Sequence, residues 1–255
     1  MTRTVGVFGA AGKMGSTVCR AVEADAELRL VAGVDPGLGD APLGPGVAVA
    51  ARPEDLAEPP EVMVDFTHLD AARANLAWCA ANGVHAVVGT TGFTDEDLAR
   101  FRATFTTSNC LIAPNFAIGA ILMMRFAELA APWFDTAEVI EYHHDNKLDS
   151  PSGTAMRTVE RMAAASDAWA PDPTATHTVA GARGGEGPAG IRVHAVRMRG
   201  MVAHQEVLLG TTGQTLTIRH DSYDRDSFMP GVVLAAKRIA DHPGVTIGLD
   251  PLLGL

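Results

Sequence analysis

The 255-residue sequence predicts an α/β fold followed by a mixed α+β part. Three observations carry this. Wholly apolar, β-prone runs alternate with segments of helical apolar spacing from Thr4 to about Ala113. A glycine-rich turn closes the first of these runs. After residue 115 the strand-like segments alternate apolar and polar residues instead. Continuous apolar strands suit a parallel sheet covered on both faces, and alternation suits a sheet with one solvated face.

Thr4–Phe8 reads as the first strand, Met14–Ala24 as a helix, and Leu28–Val34 as a second strand ending at Asp35. Strand, helix and strand in that order make a parallel unit. Residues 36–46 hold three prolines and four glycines and form a loop. Val62–Phe66 is the next strand, and Asp70–Asn82 a helix with Asp70 as its N-cap. Val84–Val88 is a strand, Thr94–Thr107 a helix with Thr94 and Asp97 in capping-box spacing, and Cys110–Ala113 a strand stopped by Pro114.

Beyond that point, Ala117–Ala131 is an apolar helix stopped by Pro132, Thr136–Tyr142 a strand and Ser152–Ser166 a helix. The segment Gly181–Gly187 reads as a plain glycine-rich connection. Val193–Met198, Val202–Leu209 and Gln214–His220 are strands, the last two joined through Gly210–Gly213. Phe228–Ala240 returns to helix. The expected domains are 1–114, rejoined by 225–255, and 115–224.

Composition excludes several function classes. With 47% hydrophobic and 20% charged residues, the chain is globular rather than disordered. A net charge of −10, with no block of Lys and Arg to offset it, is the wrong sign for a nucleic-acid or anionic-membrane surface. No apolar run reaches the roughly 18–20 residues that span a bilayer. Cys19, Cys79 and Cys110 are odd in number, far apart and without a CxxC pair. They point to a reducing, cytoplasmic setting and to apolar packing, not to a disulfide framework or a metal site.

Gly9, Ala10, Ala11, Gly12, Lys13, Met14 and Gly15 follow the first strand and open the first helix. Glycines there permit a tight turn and close approach of a pyrophosphate, which the helix N-terminus attracts. Asp35 lies 20 residues after Gly15 at the end of the second strand, where an acid holds a ribose hydroxyl. These features define a Rossmann-type dinucleotide-binding domain. The carboxylate of Asp35 favours an unphosphorylated ribose, so NADH is expected to be used well. Lys13 leaves NADPH open. The later strand ends, Asp65–His68, Gly89–Phe93 and Ala113–Phe116, are turned or polar and line up as a ligand cleft.

The densest chemistry is at residues 138–155. His143, His144 and Lys147 follow a strand, and Ser152, Gly153 and Thr154 open a helix whose N–H groups can hold a carboxylate. Together they can bind a dianion and donate a proton. An equally weighted reading is a solvated loop whose histidines pair with Glu141, Asp145 or Asp149, ahead of an ordinary capped helix.

The segment also resembles the dihydrodipicolinate reductase family. Residues 138–155 match its signature, E-I/V-x-E-x-H-x3-K-x-D-x-P-S-G-T-A, at every fixed position. The likeness extends through VGVFGAAGKMG, DFTH, VVGTTGF, APNFAIG and HDSYDRDSFMPGV, and is nearest the shorter actinobacterial members. The resemblance implies NAD(P)H-dependent reduction of 4-hydroxy-tetrahydrodipicolinate, a cyclic dicarboxylate, to tetrahydrodipicolinate in lysine and diaminopimelate biosynthesis. It implies His143 as proton donor, Lys147 as second acid and carboxylate contact, and His144, Gly153 and Thr154 as substrate-binding positions. It places the dinucleotide on Gly9 through Met14 and Asp35, with Gly89, Thr90, Thr91, Ala113, Pro114, Asn115 and Phe116 along its nicotinamide half. It also implies a homotetramer and hinge motion. Asp145 and Asn146 stand where many relatives have a basic or histidine-containing pair, which bears on substrate affinity. Two other readings stand beside it: another two-domain amino-acid-pathway dehydrogenase, and a non-catalytic dinucleotide-binding regulator.

Overall fold

The computed structural model describes residues 2–37 and 43–255. Part of the predicted 36–46 loop therefore lies outside the described residues. The chain divides into two compact units, Met1–Ile118 with Arg225–Leu255, and Gly119–Asp224.

The first unit begins with β1 (Arg3–Phe8), α1 (Lys13–Glu23), β2 (Leu28–Val34), β3 (Ala48–Ala50), β4 (Val62–Asp65), α2 (Leu69–Ala81), β5 (His85–Val88), α3 (Asp95–Thr104) and β6 (Cys110–Ile112). Helix α4 (Ile118–Ala130) leads into the second unit, which holds β7 (Thr136–His143), α5 (Gly153–Ala165), β8 (Gly185–Glu186), β9 (Arg192–Arg197), β10 (Ala203–Thr211) and β11 (Gln214–Ser222). The chain ends with α6 (Met229–Arg238), β12 (Val245–Ile247) and α7 (Asp250–Leu253).

In the first unit seven strands form one parallel sheet in the order β12-β6-β5-β4-β1-β2-β3. The direction of winding reverses between β1 and β4, the switch point at which such sheets bind ligands. Val5, Val7, Val64, Val87 and Leu111 are fully buried, as wholly apolar strands demand. Helix α1 buries Gly15, Val18, Cys19 and Val22, a stripe at helical spacing.

Strands β3 and β12 escape a sequence reading. Each has three residues and lies at a sheet edge, too short for a periodicity. The start of α2 also corrects the expectation. His68 occupies the N-cap without a side-chain cap bond, and Asp70 sits inside the first turn, paired with Arg73 at 2.9 Å. The carboxylate of Asp65 organises that turn instead, accepting from the N–H and the hydroxyl of Thr67, both at 2.7 Å.

The capping box of α3 forms as expected: the Thr94 hydroxyl accepts from the Asp97 N–H, and Asp97 accepts from the Thr94 N–H. Asp97 is buried and also accepts from Arg73 and Arg100. The Arg73 guanidinium, with help from the Thr94 N–H, holds its carboxyl well below the usual carboxylate range. A depressed folded-state pKa contributes stability that is complete above the unfolded pKa and is lost as pH falls through the folded one. Thr94→Ala is expected to cost about 1 kcal/mol through the lost cap. Asp97→Ala is expected to cost more and to flatten the acid limb of stability, in urea unfolding followed from neutral to acid pH.

The second unit carries a five-stranded mixed sheet, β11-β10-β7-β9-β8. Strand β7 is antiparallel to β10 and parallel to β9. Its buried residues Ala137, Val139 and Glu141 share one face with Val193, Val207 and Leu209, and α5 packs there through Ala155, Val159 and Met162. The β10–β11 hairpin pairs Thr211 with Gln214, so its turn is the two residues Thr212 and Gly213 rather than four. Gly213 takes a positive φ of 81°, open to glycine without steric cost. The glycine-rich 181–187 connection contains the edge strand β8, and its Arg183 pairs with Glu138 and Asp172.

Candidate active site

In the first unit the loop after β1 is built around glycine. Gly9 has a φ of +69°, and Gly12 caps α1 in extended conformation with no side-chain cap bond. A Cβ at Gly15 would lie 2.0 Å from the Gly9 carbonyl oxygen. Gly15 thus lets the helix start flush against the loop. No acidic side chain occupies the first turn of α1, so its N–H groups keep their partial positive charge. Lys13, Ala11 and Gly12 are exposed there, whereas Ala10 is buried and offers only its backbone. Asp35 is tied to the same loop: its carboxylate accepts from the Ala11 N–H at 3.0 Å and the Gly37 N–H at 2.7 Å.

The neighbouring strand ends join this loop through Asp65, which is 1% exposed. Besides Thr67 it accepts from Asn75 at 2.7 Å and the Thr90 hydroxyl at 3.2 Å. A Cβ at Gly9 would touch the Thr67 methyl at 3.0 Å, so the β1 and β4 loops are adjacent. The Phe66 ring lies where a side chain at Gly89 would fall and tilts against Phe116, 5.5 Å between centroids. Gly9–Met14, Asp35, Gly89, Thr90 and Phe116 are therefore contiguous. Thr91 and Pro114 are exposed beside them, Ala113 is buried, and the Asn115 side chain accepts from the Ala117 N–H at 2.9 Å. Thr90 is largely buried and spends its hydroxyl between Asp65 and the Thr67 carbonyl.

In the second unit the decisive group is Glu141, fully buried on β7. Alternation along the strand puts it on the same side as His143. Its carboxylate meets His143 Nδ1, both terminal nitrogens of Arg197 at 3.0 and 2.8 Å, and the Ser152 N–H at 3.2 Å. Burial alone would raise the pKa of Glu141. The bonds from His143 and Arg197 outweigh it and hold the group below the usual glutamate range. Ser152 caps α5, its hydroxyl accepting from the Ala155 N–H at 3.2 Å. A Cβ at Gly153 would meet open space, so the first turn of α5, which carries no acid, is accessible. Ser150–Pro151, just before it, is cis.

Lys147 pairs with Asp149 at 2.8 Å, and Arg197 donates to the Asp149 carbonyl at 2.7 Å. His143, Lys147, Gly153 and Thr154 are thus gathered into one cluster. His144 is exposed, and its carbonyl accepts from the Lys147 N–H. Asp145 pairs with Arg199 at 2.9 Å, which offsets its charge. Of the histidine pairings in the loop reading, His143 with Glu141 is present, while Asp149 pairs with Lys147 and Asp145 with Arg199; the first turn of α5 stays open. Arg197 went unnoticed in the sequence, and Asp65 was read there only as part of a strand end. Arg197 stands directly beside His143 only because β7 and β9 pair in parallel register, which no local pattern reveals.

The dihydrodipicolinate reductase N-terminal model matches residues 3–116, and the C-terminal model residues 119–253. The chain belongs to the dihydrodipicolinate reductase family. It is 53% identical over 255 residues to a 4-hydroxy-tetrahydrodipicolinate reductase of Mycobacterium ulcerans, covering 98% of this chain and 99% of that one. The Corynebacterium urealyticum reductase is 49% identical over 262 residues, with 98% of each chain covered. A solved dipicolinate-bound dihydrodipicolinate reductase from Paenisporosarcina sp. TG-14 superimposes with a TM-score of 0.89 at 39% identity, covering 98% of this chain and 99% of that one. An aspartate dehydrogenase from Thermotoga maritima, at 13% identity and a TM-score of 0.51, shares the fold alone.

This reductase-family chain is accordingly an oxidoreductase that uses a nicotinamide dinucleotide and acts on a small molecule. Its glycine loop fits a dinucleotide: Gly9, Gly12 and Gly15 keep side chains out of the turn, the first turn of α1 carries no acid, and the Asp35 carboxylate lies against the loop at the Ala11 N–H. Among the described residues no helix is long and apolar enough to cross a membrane, and no His, Cys, Asp or Glu group has metal-binding geometry.

Proposed function

We propose that the protein reduces 4-hydroxy-tetrahydrodipicolinate to tetrahydrodipicolinate in lysine and diaminopimelate biosynthesis. The observation that carries this is the gathering of His143, Lys147 and the open α5 N-terminus at one end of β7, in a chain half identical to reductases of that name. The Paenisporosarcina relative is described as binding dipicolinate, a planar dicarboxylate. A cation and a helix N-terminus are the right pair of holders for two carboxylates. His144 adds an exposed donor at the rim. The 4-hydroxyl leaves as water together with a hydrogen of the neighbouring ring carbon, which leaves a C=C bond conjugated with the imine. A bound dihydronicotinamide would supply hydride to C4 of that bond, and His143 would return a proton to the neighbouring carbon. Lys147 holds a carboxylate and serves as second acid.

The test couples the purified protein to in situ formation of the substrate from pyruvate and aspartate semialdehyde, following nicotinamide absorbance. Substrate-dependent oxidation is expected. Dinucleotide binding without turnover would overturn the reading and leave a regulator.

Both NADH and NADPH serve in this reading, with NADH used well. Asp35 supports it, being already placed as an acceptor at the end of β2. Asp35→Ala is expected to lower kcat/KM with NADH about tenfold or more, the loss of a charge-assisted hydrogen bond, while NADPH is spared. Parallel steady-state runs with the two cofactors check it.

We also place the enzyme in the cytoplasm as a homotetramer. Its three cysteines are free and buried. Strand β11 is an edge strand of nine residues, mostly exposed, a surface suited to pairing with a further copy.

A further inference from the structure

We propose that Glu141 and Arg197 are a positioning pair that fixes the tautomer of His143 and ties it to the start of α5. The inference rests on His143 being the proton donor. Four donors converge on one buried carboxylate: two from Arg197, one from His143 Nδ1 and one from the Ser152 backbone. Glu141 is fully buried, and its countercharge is Arg197, directly beside His143 in the β7–β9 register. A buried carboxylate without that countercharge would be strongly unfavourable. A carboxylate accepts only, so the imidazole nitrogen facing it must carry hydrogen. Neutral His143 is therefore the Nδ1–H tautomer, and Nε2 is the nitrogen left for the substrate.

The same carboxylate reaches the Ser152 N–H at the capped end of α5. Arg197 meanwhile reaches the Asp149 carbonyl beside the Lys147–Asp149 pair. The proton donor, the cation and the helix N-terminus are thus held by one pair of side chains. That arrangement preorganises three groups for one substrate, where small misplacement is costly. Neither Glu141 nor Arg197 needs to touch the substrate.

Glu141→Gln conserves shape but offers an amide N–H₂ that can donate to Nδ1, which moves the imidazole hydrogen to Nε2. Expected with the dinucleotide bound are a kcat about 10²-fold lower and a KM within about threefold of wild type. Glu141→Asp, which restores the carboxylate, is expected to recover part of the loss. The readout that a purely structural role would not move is the ¹⁵N spectrum of His143 in the neutral state: Nδ1–H in wild type and Nε2–H in Glu141→Gln. The wild-type spectrum needs no variant to fold. An Nε2–H tautomer in wild type would overturn the proposal, as would Glu141→Gln retaining full kcat. Failure of the underlying reading looks different, because His143→Ala would then keep its activity as well.

Discussion

His143→Ala is expected to lower kcat by about 10²–10⁴-fold, the usual worth of a positioned general acid. Affinity for the dinucleotide should stay within a factor of about two, because the glycine loop and Asp35 belong to the other unit. The fold should survive the change. Glu141 keeps Arg197 and the Ser152 N–H as partners, so no buried charge is stranded. Lys147→Ala should act differently, raising KM as well as lowering kcat. In the free enzyme Lys147 is bound to Asp149, and that bond holds the Asp149 carboxyl below its usual range. A substrate carboxylate must compete with Asp149, so Lys147 contributes less binding than a bare ammonium would. Steady-state kinetics, with cofactor binding followed by nicotinamide fluorescence, separate the two variants. Full kcat/KM in both would remove the site from this segment.

Much of this was legible in the sequence because the informative residues are near one another along the chain. The glycine loop, the Thr94–Asp97 box and the Ser152 cap are each set by neighbours within six residues, and each appears where periodicity and capping chemistry place it. What was hidden depends on pairing. Asp65 was visible as a strand end, but its grip on Asn75 and Thr90 arises from folding across 10 and 25 positions. Because Asp65 holds the turn before α2, the cap expected at Asp70 is unnecessary, and Asp70 forms an exposed pair instead. Arg197 is 56 positions from Glu141 and meets it only through the parallel β7–β9 register. The edge strands β3 and β12 were lost for another reason. Three-residue strands have no period, and their pairing is imposed by the sheet they extend.

Gly15→Ala should damage the other half of the enzyme. The new methyl would lie 2.0 Å from the Gly9 oxygen, 2.7 Å from the Gly9 carbonyl carbon and 2.9 Å from the Ala10 Cα. All three are backbone atoms, so no side-chain rotation relieves the overlap. The N-terminus of α1 must lift from the loop, and the buried stripe Val18, Cys19 and Val22 moves with it. Overpacking of this kind costs about 1–3 kcal/mol. Binding should suffer more than stability, since the helix N–H groups then miss the pyrophosphate whose geometry they match. The dinucleotide Kd is expected to rise about a hundredfold, equivalent to two charge-assisted hydrogen bonds. Gly12→Ala is the milder comparison, its methyl 3.1 Å from the same oxygen at an ordinary φ of −71°. Calorimetric titration of both variants with NADH ranks them. If Gly15→Ala bound NADH as tightly as Gly12→Ala, the close packing of helix on loop would not be what shapes the dinucleotide site, and Asp35 with the strand-end loops would have to carry it.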